Sequence, residues 1–95
     1  MAVLLTYDVD QNAQIAVKEE LLKIGFTDVF HGEFAYNLPN TTLCKDKLRY
    51  MSKDALEDIK RITAKMNVKL TKCFAVDFHR FSGYAGIEGE PHVKS

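Results

Sequence analysis

Apolar and polar residues alternate along positions 2–9. Val3, Leu5, Tyr7 and Val9 fall on one face, and Leu4, Thr6 and Asp8 on the other. Both faces begin apolar, which predicts a central strand covered at least partly on both sides. The period then lengthens. Ala13, Val17, Leu21 and Ile24 recur at helical spacing, while Lys18, Glu19 and Lys23 fall elsewhere on the surface. Asp10 and Asn12 stand where an N-cap belongs, and Gly25 stands where the chain must leave the helix. Residues 27–36 are rich in β-branched and aromatic side chains and read as a second strand, with Phe30, Gly32, Phe34 and Tyr36 on one face. Asn37-Leu38-Pro39-Asn40 is a turn signal, and residues 41–45 read as the return strand of a hairpin. A second helix is predicted between Ser52 and Asn67. Ser52 is its expected N-cap, Asp54 sits in the first turn, Met51 can staple against Leu56, and Leu56, Ile59, Ile62 and Met66 form the apolar stripe. Val68, Leu70, Phe74, Val76 and Phe78 supply the last strand, with Lys72 interrupting the pattern.

The order strand–helix–strand–strand–helix–strand predicts an α+β, ferredoxin-like sandwich. Right-handed crossovers would give one four-stranded antiparallel sheet with two helices on one face. The domain is expected over residues 1–81. Residues 82–95, with Gly83, Gly86, Gly89 and Pro91, read as a flexible or dimer-contacting tail. Two helices leave the opposite sheet face bare, and a second copy of the chain is the simplest cover, so a homodimer is expected.

Composition narrows the choice of partners. The 95 residues are 46% hydrophobic and 27% charged, an ordinary globular balance. Thirteen basic and thirteen acidic residues cancel, so no general positive field favours nucleic acid, although a local basic patch stays open. The opening apolar run is too short for a secretion signal, and no stretch is long enough to span a bilayer. A cytoplasmic location is therefore expected. Cys44 and Cys73 form no CxxC and read as plain thiols, with a disulfide or a metal pair as the other readings.

Three features can carry chemistry. Asp8 and Asp10 close the first strand, where a carboxylate pair can ligate a hard cation such as Mg2+; such a cation polarises a phosphodiester and activates water. The plainer reading is that Asp10 caps the helix and Asp8 bonds the loop. His31 and His79 can serve as general acid or base near neutral pH, with Arg80 beside His79; the plainer reading makes the histidines surface or packing residues. Phe30, Phe34, Tyr36, Phe74, Phe78 and Phe81 can stack bases on an open sheet. The third strand, with Leu43, Cys44 and Lys45, lacks the aromatic pattern of an RNA recognition motif, which favours core or dimer packing. Phosphate-loop, GxSxG, HExxH and zinc-spaced motifs do not occur.

Val3-Leu4-Leu5-Thr6-Tyr7-Asp8-Val9 resembles the opening strand of the second CRISPR-associated protein family, the small dimeric partner of the spacer-integration nuclease. There, a short apolar strand ends in Tyr-Asp and an apolar residue. Gly25-Phe26 and Val29-Phe30-His31-Gly32-Glu33-Phe34 are similar to its second strand. The wider group includes virulence-associated protein D and toxin–antitoxin proteins. The resemblance covers residues 3–36 at the level of motifs and implies a homodimer with Asp8 of each copy facing across the interface, where a divalent cation binds. Only Asp8 matches a family metal position directly. The expected function is then magnesium-dependent endoribonuclease cleavage of RNA, with Asp8, Asp10 and His31 as catalytic residues and Arg80 and His79 as nucleic-acid contacts. Two alternatives stand beside it: a non-catalytic module that binds a partner protein through its open sheet face, and a small-molecule-sensing dimer.

Overall fold

The computed structural model describes residues 2–31 and 35–79. The elements are β1 (Ala2–Val9), a short 3-10 turn (Gln11–Ala13), α1 (Gln14–Lys23), β2 (Val29–His31), β3 (Ala35–Asn37), β4 (Thr42–Lys45), α2 (Ser52–Lys65) and β5 (Leu70–Phe78). The fold is α+β, with one antiparallel sheet of three strands in the order β4-β1-β5 and a separate two-stranded hairpin, β2-β3.

β1 is the centre of the sheet. Val3 pairs with Lys45 and Leu5 with Leu43 on one side, and Val3 with Asp77 and Tyr7 with Cys73 on the other. The alternation read from the sequence is real: Val3, Leu5, Tyr7 and Val9 are buried. They share one core with Val17 and Leu21 of α1, with Ala55, Ile59 and Ile62 of α2, and with Phe26 and Leu43. Both helices therefore cover the same face of β1.

The helices end as expected, but both begin differently: Asp10 caps the 3-10 turn that precedes α1, and the N-cap of α1 itself is Ala13, without a side-chain bond. α1 stops at Ile24, and Gly25 follows with φ +102°. That left-handed φ is what calls for glycine, and a Cβ there would also come within 3.3 Å of Lys45 Cε, a tight contact. Asn67 ends α2 with φ +57°, as the predicted stop requires. Ser52, however, is the first residue of α2, and Met51 is its N-cap. Asp54 accepts from the Met51 N–H at 2.9 Å, while Ser52 donates both its N–H and its Oγ–H to Asp77 of β5, each at 2.8 Å. A carboxylate from a neighbouring strand thus does the work expected of the serine, and it holds the positive end of α2 against the sheet.

The predicted second strand and hairpin differ from the structure. Residues 27–36 do not run as one strand. Val29–His31 pairs with Ala35–Asn37, with Phe30 opposite Tyr36, and the Leu38 N–H closes on Asp28 O at 3.0 Å. The aromatic cross-strand pair gives this local hairpin its own stabilisation. Thr42–Lys45 pairs with β1, and an isolated bridge between Thr27 and Cys44 joins it to the segment before β2. Among the described residues the sheets are therefore one of three strands and one of two, not the single four-stranded sheet expected. Residues 82–95, together with Phe34, Arg80 and Phe81, lie outside the described residues.

The burial of β1 sets the expected stability pattern. Leu5→Ala removes a fully buried side chain at the centre of the core and should lower the unfolding free energy by about 3 kcal/mol. Glu57→Ala, exposed on α2, should change it by less than about 0.5 kcal/mol. Urea titrations of the two variants, compared at unchanged slope, test this.

Candidate functional site

The face of β1 opposite the helices carries Ala2, Leu4, Thr6 and Asp8. Their neighbours on β5 are Phe78, Val76, Phe74 and Lys72 in the same order, and on β4 Leu4 meets Cys44 and Thr6 meets Thr42. This face is divided. At the Ala2 end the β2-β3 hairpin lies close: the Phe30 and Phe78 rings are 5.4 Å apart, and Cys44 Sγ is 3.3 Å from Thr27 Oγ1 and 3.9 Å from the Val29 carbonyl. Ala2 and Cys44 are buried as a result. At the other end Thr6, Asp8 and Lys72 are exposed, and Phe74 and Val76 keep 66% and 38% of their surface in water. Among the described residues nothing lies over them.

The predicted site residues separate. Asp8 projects from the open half of this face, at the end of β1 where the register with β5 shifts, beside a shallow depression lined by Thr6, Lys72 and Phe74. Asp10 is an N-cap: its Oδ1 accepts from the Asn12 N–H at 2.9 Å, and its carbonyl accepts from the Ala13 N–H. His31 is exposed and adjoins Phe30, at the far end of the sheet where Phe30 meets Phe78. Phe78 is opposite Ala2, six residues from Asp8, so roughly 20 Å of strand separates that end from Asp8. His79 follows Phe78 at the same remote end and is exposed. Arg80 lies outside the described residues. The structure thus does not bring the expected catalytic set together.

Those residues also do not make a cation site within one chain. Among the described residues no three His, Cys, Asp or Glu side chains converge on a point. Asp8 stands alone, and Asp10 spends an oxygen on the helix. An all-protein cage for a hard cation takes several oxygen ligands, and a single carboxylate holds one only with waters or substrate oxygens completing the shell. Among the described residues neither Asp8 nor Lys72 is in an ion pair; the pairs there join Lys18 to Asp28, Lys23 to Glu20 and Arg61 to Asp58.

The cysteines are unpaired. Cys44 faces the hairpin side of the sheet and Cys73, opposite Tyr7, the helix side, so they are on opposite faces. Burial pushes both thiols up from their usual range, which disfavours a thiolate nucleophile at neutral pH.

One cluster was not foreseen. Lys45 is buried, donates from Nζ to the Ile24 carbonyl at 2.6 Å and lies over the Tyr50 ring at 4.1 Å and the Phe26 ring at 5.4 Å. It satisfies the carbonyl end of α1 and places a cation against two aromatic faces. Burial holds its amine below the usual lysine range, with Asp58 opposing in part. Tyr50 in turn donates to Asp58 on α2, and burial together with that bond raises its phenol. The signal was present in the alternation, since Lys45 shares the face of Leu43 and therefore points into the core. The cluster ties α1, β4 and α2 together and is structural.

No family model matches the chain, and no curated protein and no solved structure matches it either.

Two outcomes distinguish cap from surface carboxylate. Asp10→Ala should cost about 1 kcal/mol of stability, the usual loss of an N-cap. Asp8→Ala, at an exposed position with no partner, should change stability by less than about 0.5 kcal/mol. Thermal unfolding of the pair checks the contrast.

Tyr7 gives a pH test. Its hydroxyl is buried without a hydrogen-bond partner, and burial pushes its phenol from 10.0 up to about 12. The neutral phenol is favoured in the folded chain, so this contribution is complete below pH 10 and is lost as pH rises towards 12, by up to roughly 2.7 kcal/mol. Tyr7→Phe should be neutral or stabilising at pH 7 and should flatten the alkaline loss relative to the natural chain. Denaturant midpoints between pH 9 and 12 measure that difference.

Proposed function

We propose that this chain is a non-catalytic interaction module whose working surface is the uncovered half of its sheet. The observation that carries the reading is Phe74, two-thirds exposed beside Val76 on a face that also presents Thr6, Asp8 and Lys72. Scattered apolar residues on a surface are ordinary, but an exposed phenyl ring adjoining a second apolar side chain on a flat, rigid strand is what a binding patch offers. Burying the rest of Phe74 against a partner contributes about 2 kcal/mol. The charged pair at one end gives such a surface an orientation as well as an affinity. Balanced net charge fits a protein partner better than a phosphate backbone.

A ferredoxin-like arrangement is part of this proposal. The order β4-β1-β5, the placing of both helices on one face and the Thr27–Cys44 bridge support it. In that reading the segment from Thr27 to His31 is a fourth edge strand. It touches the sheet at its start and then turns away, over the Ala2 end of the face opposite the helices, to pair with β3.

Photo-cross-linking in cells tests the surface. A benzophenone side chain introduced at position 74 should give a discrete protein adduct, whereas the same group at Glu57, exposed on α2, should give none. No adduct at position 74, or the same adducts at both positions, would overturn the reading. Ribonuclease activity that requires magnesium and disappears with Asp8→Ala would replace it with the endoribonuclease reading.

A further inference from the structure

From the groove between the C-terminal halves of α1 and α2 we infer a second binding site, which takes a free aliphatic carboxylate of about ten carbons. The groove is in the helix layer, on the other side of the sheet from Phe74. The inference does not depend on the open face being an interaction surface.

Charge is balanced over the chain but not along it. Residues 59–76 contain Lys60, Arg61, Lys65, Lys69 and Lys72 and no Asp or Glu. Arg61 and Lys65 line the groove from α2, and Lys23 lines it from α1. Glu20 is the one carboxylate among the lining residues. Beneath these charged chains the groove is apolar: Ile62 belongs to the core, and Ile24 and Met66 pack against it. An apolar floor under a few converging charges is the make-up of a small-molecule site. The volume is about 370 Å³, near the lower end for such sites. At about 30 Å³ for each water-sized group it has room for roughly twelve non-hydrogen atoms, the number in a ten-carbon carboxylate.

Both helices end at this groove, and a helix C-terminus repels anions. Here its carbonyls are already bonded. The Ile24 carbonyl accepts from Lys45 Nζ at 2.6 Å, so a buried cation is joined to a groove residue. The carbonyls of Ile62, Thr63 and Ala64 accept from the Met66, Val68 and Asn67 N–H groups at 3.0, 2.8 and 3.1 Å. The rim cations are unequal. Lys23 is 2.7 Å from Glu20 and Arg61 is 2.8 Å from Asp58, whereas Lys65 is in none of the ion pairs among the described residues. Glu20 nevertheless feels both helices: the Lys23 hydrogen bond and charge hold its carboxyl below the usual range, and the Lys65 charge adds to this. A carboxylate entering the groove therefore competes with Glu20 for Lys65, while its chain covers the half-buried Ile24 and Met66. A small inorganic anion has no use for that floor, and a bare alkane has none for the cations.

Isothermal titration calorimetry of the full chain with sodium decanoate, kept below its micelle concentration, should show one site with a dissociation constant of about 0.1 mM. Octanoate and hexanoate should bind about two- to fourfold more weakly for each methylene lost. Dodecanoate should gain little over decanoate, because the groove is then full. Decyltrimethylammonium, the same chain on a cation, and acetate, the same head without the chain, should each bind at least about tenfold more weakly. Lys65→Gln should weaken decanoate binding about threefold and Lys65→Glu about tenfold. Glu20→Gln removes the competing carboxylate and should tighten it about threefold. These are surface positions, and circular dichroism checks that the variants keep their fold. Phe74→Glu should leave decanoate binding unchanged.

No binding of decanoate up to about 1 mM overturns the inference, as does equal binding of decanoate and decyltrimethylammonium or of decanoate and acetate. Decanoate binding that Phe74→Glu abolishes, or that ignores Lys65 and Glu20, overturns it too, since the site is then elsewhere. Binding that follows Lys65 and Glu20 upholds it whatever position 74 cross-links to, so the groove and the sheet face stand or fall separately.

Discussion

β1 is bonded along both edges, and this double attachment organises the molecule. β4 and β5 both run antiparallel to it. Its residues alternate between a dry face, with Val3, Leu5, Tyr7 and Val9, and a second face that changes from buried to exposed along its length. A slip of one residue against either neighbour would turn this entire set inside out. Everything on the helix side reinforces the register. Val17 and Leu21 of α1 and Ala55, Ile59 and Ile62 of α2 pack on the same four side chains. Asp77, which shares the helix side of β5 with Cys73 and Ala75, reaches the first turn of α2 and fixes where that helix begins. Lys45, opposite Val3, reaches the last carbonyl of α1 and fixes where that one ends. Polar groups on the two strands flanking β1 thus anchor one end of each helix.

The second face has no such symmetry of support. The β2-β3 hairpin covers the Ala2 end through Phe30, Thr27 and Val29 and stops short of Thr6. The result is a sheet with a closed end and an open end. The closed end explains why Ala2 and Cys44 are buried although they lie on the face away from the helices. The open end concentrates exposed apolar surface on Phe74 and Val76, and a charge of each sign beside it. A rigid strand presents these groups with little loss of freedom on binding, which a loop of the same composition would not do.

Most of the fold was legible because period and local chemistry agree. The faces of β1, the stop of α1 at Gly25, the stop of α2 at Asn67 and the apolar positions Ile59 and Ile62 all follow from spacing and from the backbone conformations those residues allow. The reading of residues 27–36 as one strand failed for a definite reason. β-propensity marks residues that suit a pleat but not the strand they pair with, and Phe30 pairs with Tyr36 from the same run. Ser52 was a sound N-cap on local grounds and lost that role to Asp77, 25 residues away. No local pattern contains such a contact. The candidate site was legible in part. The sequence reading already favoured a helix cap for Asp10, and its side-chain bond to Asn12 agrees. The grouping of Asp8 with His31 was not legible, because it depends on which end of the sheet the hairpin occupies.

Charge placement then decides between the ways such a face can be used. A surface for phosphates gathers cations, and a cation site gathers carboxylates. This face does neither, since Asp8 and Lys72 stand side by side at one end and the remaining positions are neutral. Opposite charges held as cross-strand neighbours contribute little to a monomer in water. They contribute more when a covering surface excludes solvent and offers the complementary pair. The arrangement is therefore of more use to a bound state than to the isolated fold.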